Sequence, residues 1–258
     1  MKTCSIVAVS FAAALLSAGN ASAGVTQVFS GTDDGASASG PWPNSAAAAA
    51  SFLSAAAGFG STYTETFENV AVGAGAQGAS FGINGATVSS NTNFGPNDGF
   101  GGVNDTDFGG VYGFNVTSGG ANWFGFPNTN SADSEATFAF DAPTNAFGFY
   151  TTGVQSFAVA ELTVTFNDGV SQSFDLPVNV NGGASFFGFI DSEAFTSVTI
   201  TSVSNGDGTD LWGIDNVSYN LASGAVPEPS TWAMMLAGLA GLGFFGYRSK
   251  RGAVSIAA

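Results

Sequence analysis

The sequence predicts an all-β protein, an antiparallel two-sheet sandwich of jelly-roll-like type with one short helix, set between an N-terminal and a C-terminal apolar helix. Three observations support this class. Phe, Val, Ile and Leu alternate with Thr, Ser and Asn along much of the chain, which is the pattern of half-buried strands. Gly, Asn and Asp fill the gaps as turn residues. No helical pattern separates the strands of the second half, and connections without crossovers favour antiparallel pairing.

The N-terminal segment, residues 1–23, has the three parts of a secretory signal peptide. Lys2 supplies a short basic region, residues 6–16 are apolar, and Ala21-Ser22-Ala23 is a small-residue cleavage site. The Sec translocon and signal peptidase are therefore expected partners, and the mature chain should begin near Gly24. The one cysteine, Cys4, leaves with the signal, so the mature protein has no thiol for a disulfide or a metal site.

Residues 24–222 are predicted to form the sandwich domain. The clearest strands are expected at residues 26–30, 62–70, 86–89, 111–117, 123–126, 136–140, 145–151, 162–166, 170–176, 186–190, 197–203 and 211–220. Asn167-Asp168-Gly169 is a strong hairpin signal, and residues 31–35 and 141–144 read as further turns. The pattern leaves the strand order between 70 and 130 open.

One helix is predicted in the body, near residues 45–57. Asn44 or Ser45 is expected to cap its start, and Gly58 ends it. Its apolar face is modest, with Phe52 and Leu53, which favours packing on the outside or at one end of a sheet.

The charge of the body is unusual. All four basic residues lie in the terminal segments, whereas all but one of the 19 carboxylates lie between residues 24 and 226, where the chain has no Lys, Arg or His. Such a surface repels nucleic acid and anionic headgroups, whose recognition needs cationic side chains. Each carboxylate that folding buries must be satisfied by N–H groups, by a proton or by a metal ion.

Most catalytic machinery is absent from such a body. Without His, Lys, Arg or Cys it has no catalytic triad, no Schiff-base lysine, no P-loop lysine and no zinc site of the usual kind. A glycosidase needs only two carboxylates about 5 to 10 Å apart, so that class stays open. No pair of acids stands out in the sequence, and we expect no catalytic residues and no enzyme activity.

The C-terminal segment, residues 223–258, has the organisation of a membrane stop. Its motif residues are Pro227, Glu228, Pro229, Trp232 and Ala233. An apolar stretch at about 231–247 predicts a transmembrane helix. The basic cluster that follows consists of Arg248, Lys250 and Arg251. Positive charge on that side predicts a cytoplasmic C-terminus with the body outside. A buried core helix of a soluble protein is the alternative that the length also allows.

This order of motif, apolar stretch and basic cluster resembles the PEP-CTERM sorting signal in its Pro-Glu-Pro-x-x-Trp-Ala variant. The resemblance implies that exosortase, a membrane transpeptidase-like enzyme, processes the chain at the Pro-Glu-Pro region after transient anchoring in the inner membrane. It also implies a Gram-negative host that makes exopolysaccharide. Such tails usually stop soon after the basic residues, whereas this one continues from Gly252 to Ala258.

The last predicted strand carries Asp215, followed by Asn216. Strict alternation puts these two on opposite faces that are otherwise apolar, so one of them should be partly buried. With Phe67-Glu68 near the start of the body, this strand resembles jelly-roll carbohydrate-binding modules, in which the corresponding strands contribute to a structural calcium site. The resemblance implies Ca²⁺ held by Glu68 and Asp215, although Asn216 replaces the second aspartate of that pattern. The alternative is that Asp215 accepts backbone N–H groups and Glu68 is solvated.

Two further features are candidate binding residues. Trp42 and Trp123 have rings that can stack on sugars, although a single tryptophan in a sandwich is usually part of the core or its rim. Residues 104–107, Asn-Asp-Thr-Asp, resemble a calcium loop in composition but lack the closing Glu of an EF-hand, and a solvated turn is the simpler interpretation.

These features predict a non-enzymatic exported protein of the cell surface or extracellular matrix, processed by exosortase and associated with exopolysaccharide or biofilm. A calcium-stabilised carbohydrate-binding module is the first alternative. A glycoside hydrolase is the second.

Overall fold

The computed structural model describes residues 27–92, 101–128, 133–155, 158–166, 169–204 and 210–221. The predicted signal peptide at 1–23 and the tail at 223–258, with its motif, its predicted helix and its basic cluster, lie outside these ranges. Within them, no helix combines the length and the apolar character that a membrane crossing requires.

The described residues form eleven strands and one α-helix. Their bounds are β1 Gln27–Asp34, α1 Pro43–Ala56, β2 Ser61–Glu65, β3 Ser80–Ile83, β4 Ala86–Ser90, β5 Gly102–Asn104, β6 Trp123–Asn128, β7 Ser134–Thr152, β8 Ala158–Phe166, β9 Ser171–Asp175, β10 Gly183–Ser204 and β11 Asp210–Leu221. The paired strands are antiparallel. The predicted all-β class with one short helix is confirmed.

Two long strands, β7 and β10, run side by side through the fold and divide it into two halves. The first half of β7 pairs with the second half of β10, and β4 and β8 flank this pair. The second half of β7 pairs with the first half of β10, flanked by β11 and β1. Their register shifts between Ile190 and Ser197. Such irregularities let one strand pass from one layer of a sandwich to the other.

The outer strands extend the two halves. β3 pairs with β4 and β9 pairs with β8, which completes the first half. β2 and β6 pair with different parts of β11, and β5 pairs with β6, which completes the second. The β8–β9 hairpin is the one predicted from Asn167-Asp168-Gly169.

The core lies between the two halves. Phe138 from the first half of β7 and Phe147 from its second half belong to one buried cluster, with ring centroids 5.4 Å apart. Phe189 and Ile200 bring both halves of β10 into the same cluster. Side chains from both layers therefore share one apolar interior, as a sandwich requires.

Helix α1 packs on the outer face of the sheet, against β1, β7 and β10. Its Phe52 is fully buried there. Gly148 and Gly188 face each other across β7 and β10, and a Cβ at Gly188 would lie 2.8 Å from the Phe52 ring. The two glycines therefore give the sheet the groove in which the helix lies, and the predicted outside packing is confirmed.

The predicted cap of α1 is wrong. The helix begins at Pro43, and neither Asn44 nor Ser45 caps it from its own side chain. Instead the Asp33 carboxylate of β1 accepts the backbone N–H of Asn44 at 3.1 Å and that of Ser45 at 2.8 Å. The helix start is thus capped by the preceding strand, which local sequence does not reveal.

Two predicted turns also prove to be strand. β1 continues through Asp34 because residues 31–34 pair with β10. β7 runs without a break through residues 141–144, so its two predicted strands are one. The Thr144 hydroxyl donates to the side chain of Asn220 in β11 at 2.8 Å, which ties this stretch to the sheet.

Two predicted strands are shorter or absent. β2 ends at Glu65, whose carboxylate accepts the N–H of Phe67 at 2.7 Å, while Phe67 adopts a φ of 59°. Residues 111–117 form a loop. The N–H of Phe114 bonds to the Thr152 hydroxyl at 3.1 Å and that of Val116 to the Asp215 carboxylate at 2.8 Å. Side chains of neighbouring strands therefore accept the N–H groups that a strand would donate to the backbone of a paired strand.

A bulge interrupts the alternation of β11. Asn216 has a φ of 49°, and the register against β7 shifts between Asp215 and Ser218. Ile214 and Val217 consequently both belong to the buried core, although strict alternation places them on opposite faces.

Candidate functional site

A cleft of about 450 Å³ opens at one end of the sandwich. Three segments form it: the approach to α1, the loop after β5, and the loop before β6. The lining residues used below are Trp42, Asp105, Asp107, Asn115, Val116 and Thr117.

Trp42 forms one wall of the cleft, directly before α1. It is half-buried, and its Nε1 donates to the carbonyl oxygen of Ser37 at 2.9 Å. Its ring stacks on buried Phe114, with centroids 5.9 Å apart and an interplanar angle of 27°. These contacts fix the indole in one orientation at the cleft.

Asp105 and Asp107 bring negative charge to the cleft. Both side chains are exposed, in the loop that follows β5. Asp107 Oδ1 accepts the N–H of Gly109 at 2.7 Å, as in a solvated turn. An aromatic wall next to two carboxylates can bind a neutral or cationic ligand, whereas an anionic ligand would be repelled.

The loop at residues 115–121 forms the third wall, and Glu68 anchors both of its ends. Glu68 Oε1 accepts the N–H groups of Ala121 and Asn122, each at 3.0 Å. It also accepts the side-chain amide of Asn115 at 2.9 Å. Glu68 therefore closes the loop by holding residues from both of its ends.

Asp215 anchors the same loop from beneath. Its Oδ2 accepts the N–H of Val116 at 2.8 Å and that of Thr117 at 3.1 Å, and its Oδ1 accepts the N–H of Asn216 at 2.7 Å. The side chain is fully buried. Burial raises the pKa of Asp215 to about 7, and the hydrogen bonds from Val116, Asn216 and Thr117 oppose that rise.

The structure thus brings Glu68 and Asp215 to one loop, but their oxygens are already engaged by N–H donors. Calcium requires about six to eight oxygen ligands. Within the described ranges there is no group of three or more Asp, Glu, His or Cys side chains that could hold a metal. With their oxygens bonded in this way, the two residues do not form a calcium site. Calcium at Glu68 and Asp215 would need a different arrangement of this loop and stays a prediction.

Trp123 is fully buried, so its ring offers no face to a sugar, and its assignment as a glycan-stacking residue is corrected. Its Nε1 donates to the carbonyl oxygen of Thr106 at 3.1 Å. Gly113 and Gly213 lie against the ring, and a Cβ at either would approach it to 2.2 Å. Trp123 is therefore a core residue that supports the loop after β5.

The sequence did not reveal the wall at 115–121, because residues 115–117 were predicted to end a strand and residues 118–120 to be a short turn after it. The sequence feature that could have revealed this loop is the run Thr117-Ser118-Gly119-Gly120, whose composition is typical of a loop. Asp105 and Asp107 were noticed, but as a solvated turn and not as part of a cleft.

Comparison with solved structures gives weak likenesses. The K2 cleaved adhesin domain of Lys-gingipain matches with a TM-score of 0.41 and 13% identity, over 62% of this chain and 100% of that one. The CBM22-1 xylan-binding domain from Paenibacillus barcinonensis matches with a TM-score of 0.34 and 9% identity, over 64% of this chain and 97% of that domain. A family 11 carbohydrate-binding module from Clostridium thermocellum matches with a TM-score of 0.33 and 11% identity, over 62% of this chain and 96% of that module, which was solved with a mixed-linked tetrasaccharide. Scores this low carry no inference about ligand or activity.

No curated protein matches the chain. A family model does match its C-terminal part, over residues 225–251, and its description is the PEP-CTERM protein-sorting motif. The match covers the motif residues, the apolar stretch and the basic cluster that the sequence predicts. Residues 225–251 therefore carry a PEP-CTERM protein-sorting motif, which implies an exported protein that is transiently anchored, processed by exosortase and sorted to the cell surface.

Proposed function

We propose that this is a non-enzymatic protein of the cell surface or extracellular matrix of a Gram-negative bacterium, and that it associates there with exopolysaccharide in a biofilm. The sorting motif at residues 225–251 carries this proposal, because it directs the body to the outside of the cell. The signal peptide at 1–23 provides the matching route of export through the Sec translocon.

The cleft beside Trp42 supports a polysaccharide as the partner. Its fixed indole is a surface on which a pyranose ring can stack, and the Ser118 hydroxyl and the carbonyl oxygens of the 115–121 loop can bond to sugar hydroxyls. Asp105 and Asp107 favour neutral or amine-bearing sugars over uronic acids, since the body has no Lys, Arg or His to bind a uronate. A calcium-stabilised carbohydrate-binding module would use the same cleft.

A glycoside hydrolase is the competing class, because Asp105 and Asp107 lie in one cleft. A general acid of that class has its pKa raised, usually by burial in an apolar pocket, whereas both of these side chains are exposed. We therefore assign them to ligand selection. A hydrolase would release reducing sugar from the polysaccharide that it binds.

Intact-mass spectrometry of the protein secreted by an exosortase-bearing host tests the sorting step. We expect the secreted chain to begin near Gly24 and to lack the C-terminal residues. Glu228→Ala removes a motif residue, so this variant should keep its tail and stay in the membrane fraction. Ser230→Ala changes a variable position of the motif and should be processed normally. Secreted wild-type protein that extends to Ala258 would contradict the proposal.

A further inference from the structure

The hydrogen-bond donors in the first half of the 115–121 loop are directed into the protein and away from the cleft. Val116 and Thr117 donate their backbone N–H groups to Asp215 Oδ2, at 2.8 and 3.1 Å. The Thr117 hydroxyl donates to the side-chain oxygen of Asn216 at 2.7 Å. Because each of these donors already has an acceptor inside the protein, none of them is available to a ligand in the cleft.

The donors that close the loop are bound in the same way. Ala121 donates its N–H group to Glu68 Oε1 at 3.0 Å. The side-chain amide of Asn115 donates to Glu68 Oε1 at 2.9 Å and to the carbonyl oxygen of Asn122 at 2.7 Å, which uses both of its hydrogens. The two carboxylates that hold the loop, Glu68 and Asp215, therefore also remove most of its donors from the cleft.

Acceptors remain open in the same cleft. Asp105 is exposed, and its carboxylate accepts no hydrogen bond from the described residues. Asp107 Oδ1 accepts the N–H of Gly109, whereas its Oδ2 accepts none from the described residues. The indole N–H of Trp42 is bound to the carbonyl oxygen of Ser37, so this wall presents the face of its ring and not a donor. The described walls thus combine charged acceptors and an aromatic face with few donors.

No cation of the body offsets the charge of this cleft. All but one of the 19 carboxylates of the chain lie between residues 24 and 226, where there is no Lys, Arg or His. An ammonium group has three N–H donors and no acceptor, so it complements a site that has acceptors and few donors. An aromatic face next to the carboxylates adds attraction for a cation.

We propose that the cleft selects sugars with a free amine, whose ammonium group donates to Asp105 and Asp107 while the sugar ring lies against Trp42. This inference rests on the polysaccharide binding proposed above, and it goes further because it ranks amine-bearing sugars above neutral ones. Acetylation of the amine removes its charge and two of its donors and adds a carbonyl acceptor, for which the cleft has few donors. The partner is therefore a polymer that contains unacetylated amino sugars.

Titration calorimetry with two oligosaccharides of the same length tests this selectivity. One is an oligomer of glucosamine and the other is the corresponding oligomer of N-acetylglucosamine, both measured at about pH 6, where the amines are protonated. The amine form should bind the wild type about tenfold more tightly, since each of two exposed ion pairs strengthens binding by about threefold.

Single-charge variants assign the selectivity to the two aspartates. Asp105→Asn and Asp107→Asn each remove one charge from an exposed side chain at constant shape, and Asp107→Asn keeps an oxygen for the N–H of Gly109. Each variant should lower the ratio of the two affinities to about three, and the double variant to about one. Asp175→Asn is the matched control, because it removes an exposed carboxylate outside the cleft and should keep the wild-type ratio.

Equal binding of the two oligomers by the wild type, or tighter binding of the acetylated one, would overturn the inference and leave polysaccharide binding at the cleft in place. A ratio that Asp175→Asn lowers as much as Asp105→Asn does would assign the preference to the acidic body as a whole and would also overturn it. Binding of neither oligomer would overturn it too. In that event, oligosaccharides from the host's own exopolysaccharide decide the proposed function separately.

Discussion

Asp215 illustrates how a single residue of this body acts when no cationic side chain is within reach. Strand alternation predicted that Asp215 or Asn216 is buried, and Asp215 is. Two of the three backbone amides that donate to it belong to residues 116 and 117, about a hundred positions earlier in the chain, and no local pattern links the two segments. Sequence could therefore predict the burial of this group and not its partners.

The raised pKa of Asp215 predicts a pH dependence of stability. The unfolded chain releases this proton near pH 4, whereas the folded protein holds it up to about pH 7. The free energy of unfolding should therefore fall as pH rises through this window, by up to about 4 kcal/mol, and level off above it. Urea unfolding at several pH values measures this fall.

Asp215→Asn isolates the effect, because the variant has no proton to release at this position. The difference in unfolding free energy between wild type and variant should shrink or change sign from pH 4 to 7. Parallel pH profiles for the two proteins would show that Asp215 does not titrate in this window.

Among the elements, helix α1 shows how one segment depends on another for its start. Its sequence offers Asn44 and Ser45 as caps, yet the capping group is Asp33 in β1. Burial opposes ionisation of Asp33, but hydrogen bonds from Ser45 and Asn44 outweigh it and hold the pKa of Asp33 below its usual value. The stabilisation that the ionised Asp33 carboxylate provides is present above about pH 4 and is lost as pH falls through the lowered pKa of Asp33.

Removing this cap should destabilise the protein. Asp33→Ala takes the acceptor away from two N–H groups at the helix start, so we expect a loss of about 1 to 2 kcal/mol in urea unfolding at pH 7. Asp33→Asn keeps one acceptor and should lose about half as much. Asp175 is exposed, and its carboxylate accepts no hydrogen bond from the described residues, so Asp175→Ala serves as the control for removal of charge alone. Equal losses in Asp33→Ala and Asp175→Ala would contradict a capping role.

The strands show where local pattern is sufficient and where it is not. The β8–β9 hairpin was predicted because its turn residues and the alternation on both sides agree. Residues 141–144 have the composition of a turn, yet β7 continues through them, because Thr144 pairs with Phe195 of β10 and its hydroxyl bonds to Asn220 of β11. Long-range pairing therefore decided the elements that the sequence misassigned.

Over the whole molecule, basic and acidic residues lie in segments with different roles. The basic residues lie in the predicted signal peptide and in the sorting motif, and the acidic residues lie almost wholly between them. The sorting motif was predicted from its residues because its order is dense and local, and the family match confirms it. The cleft could not be predicted, because the fold brings residues 38–42 next to two segments between residues 105 and 121, more than 60 positions later in the sequence.

Binding of polysaccharide by the delivered body is tested most directly by titration calorimetry of the purified protein with oligosaccharides from the host's own exopolysaccharide. The wild type should bind. Trp42→Ala loses a stacking contact worth about 1.5 kcal/mol and should bind about tenfold more weakly. Tyr112→Ala, which removes an exposed aromatic ring outside the cleft, should bind like the wild type. No binding by the wild type, or equal binding by Trp42→Ala and the wild type, would contradict the proposed role of the cleft.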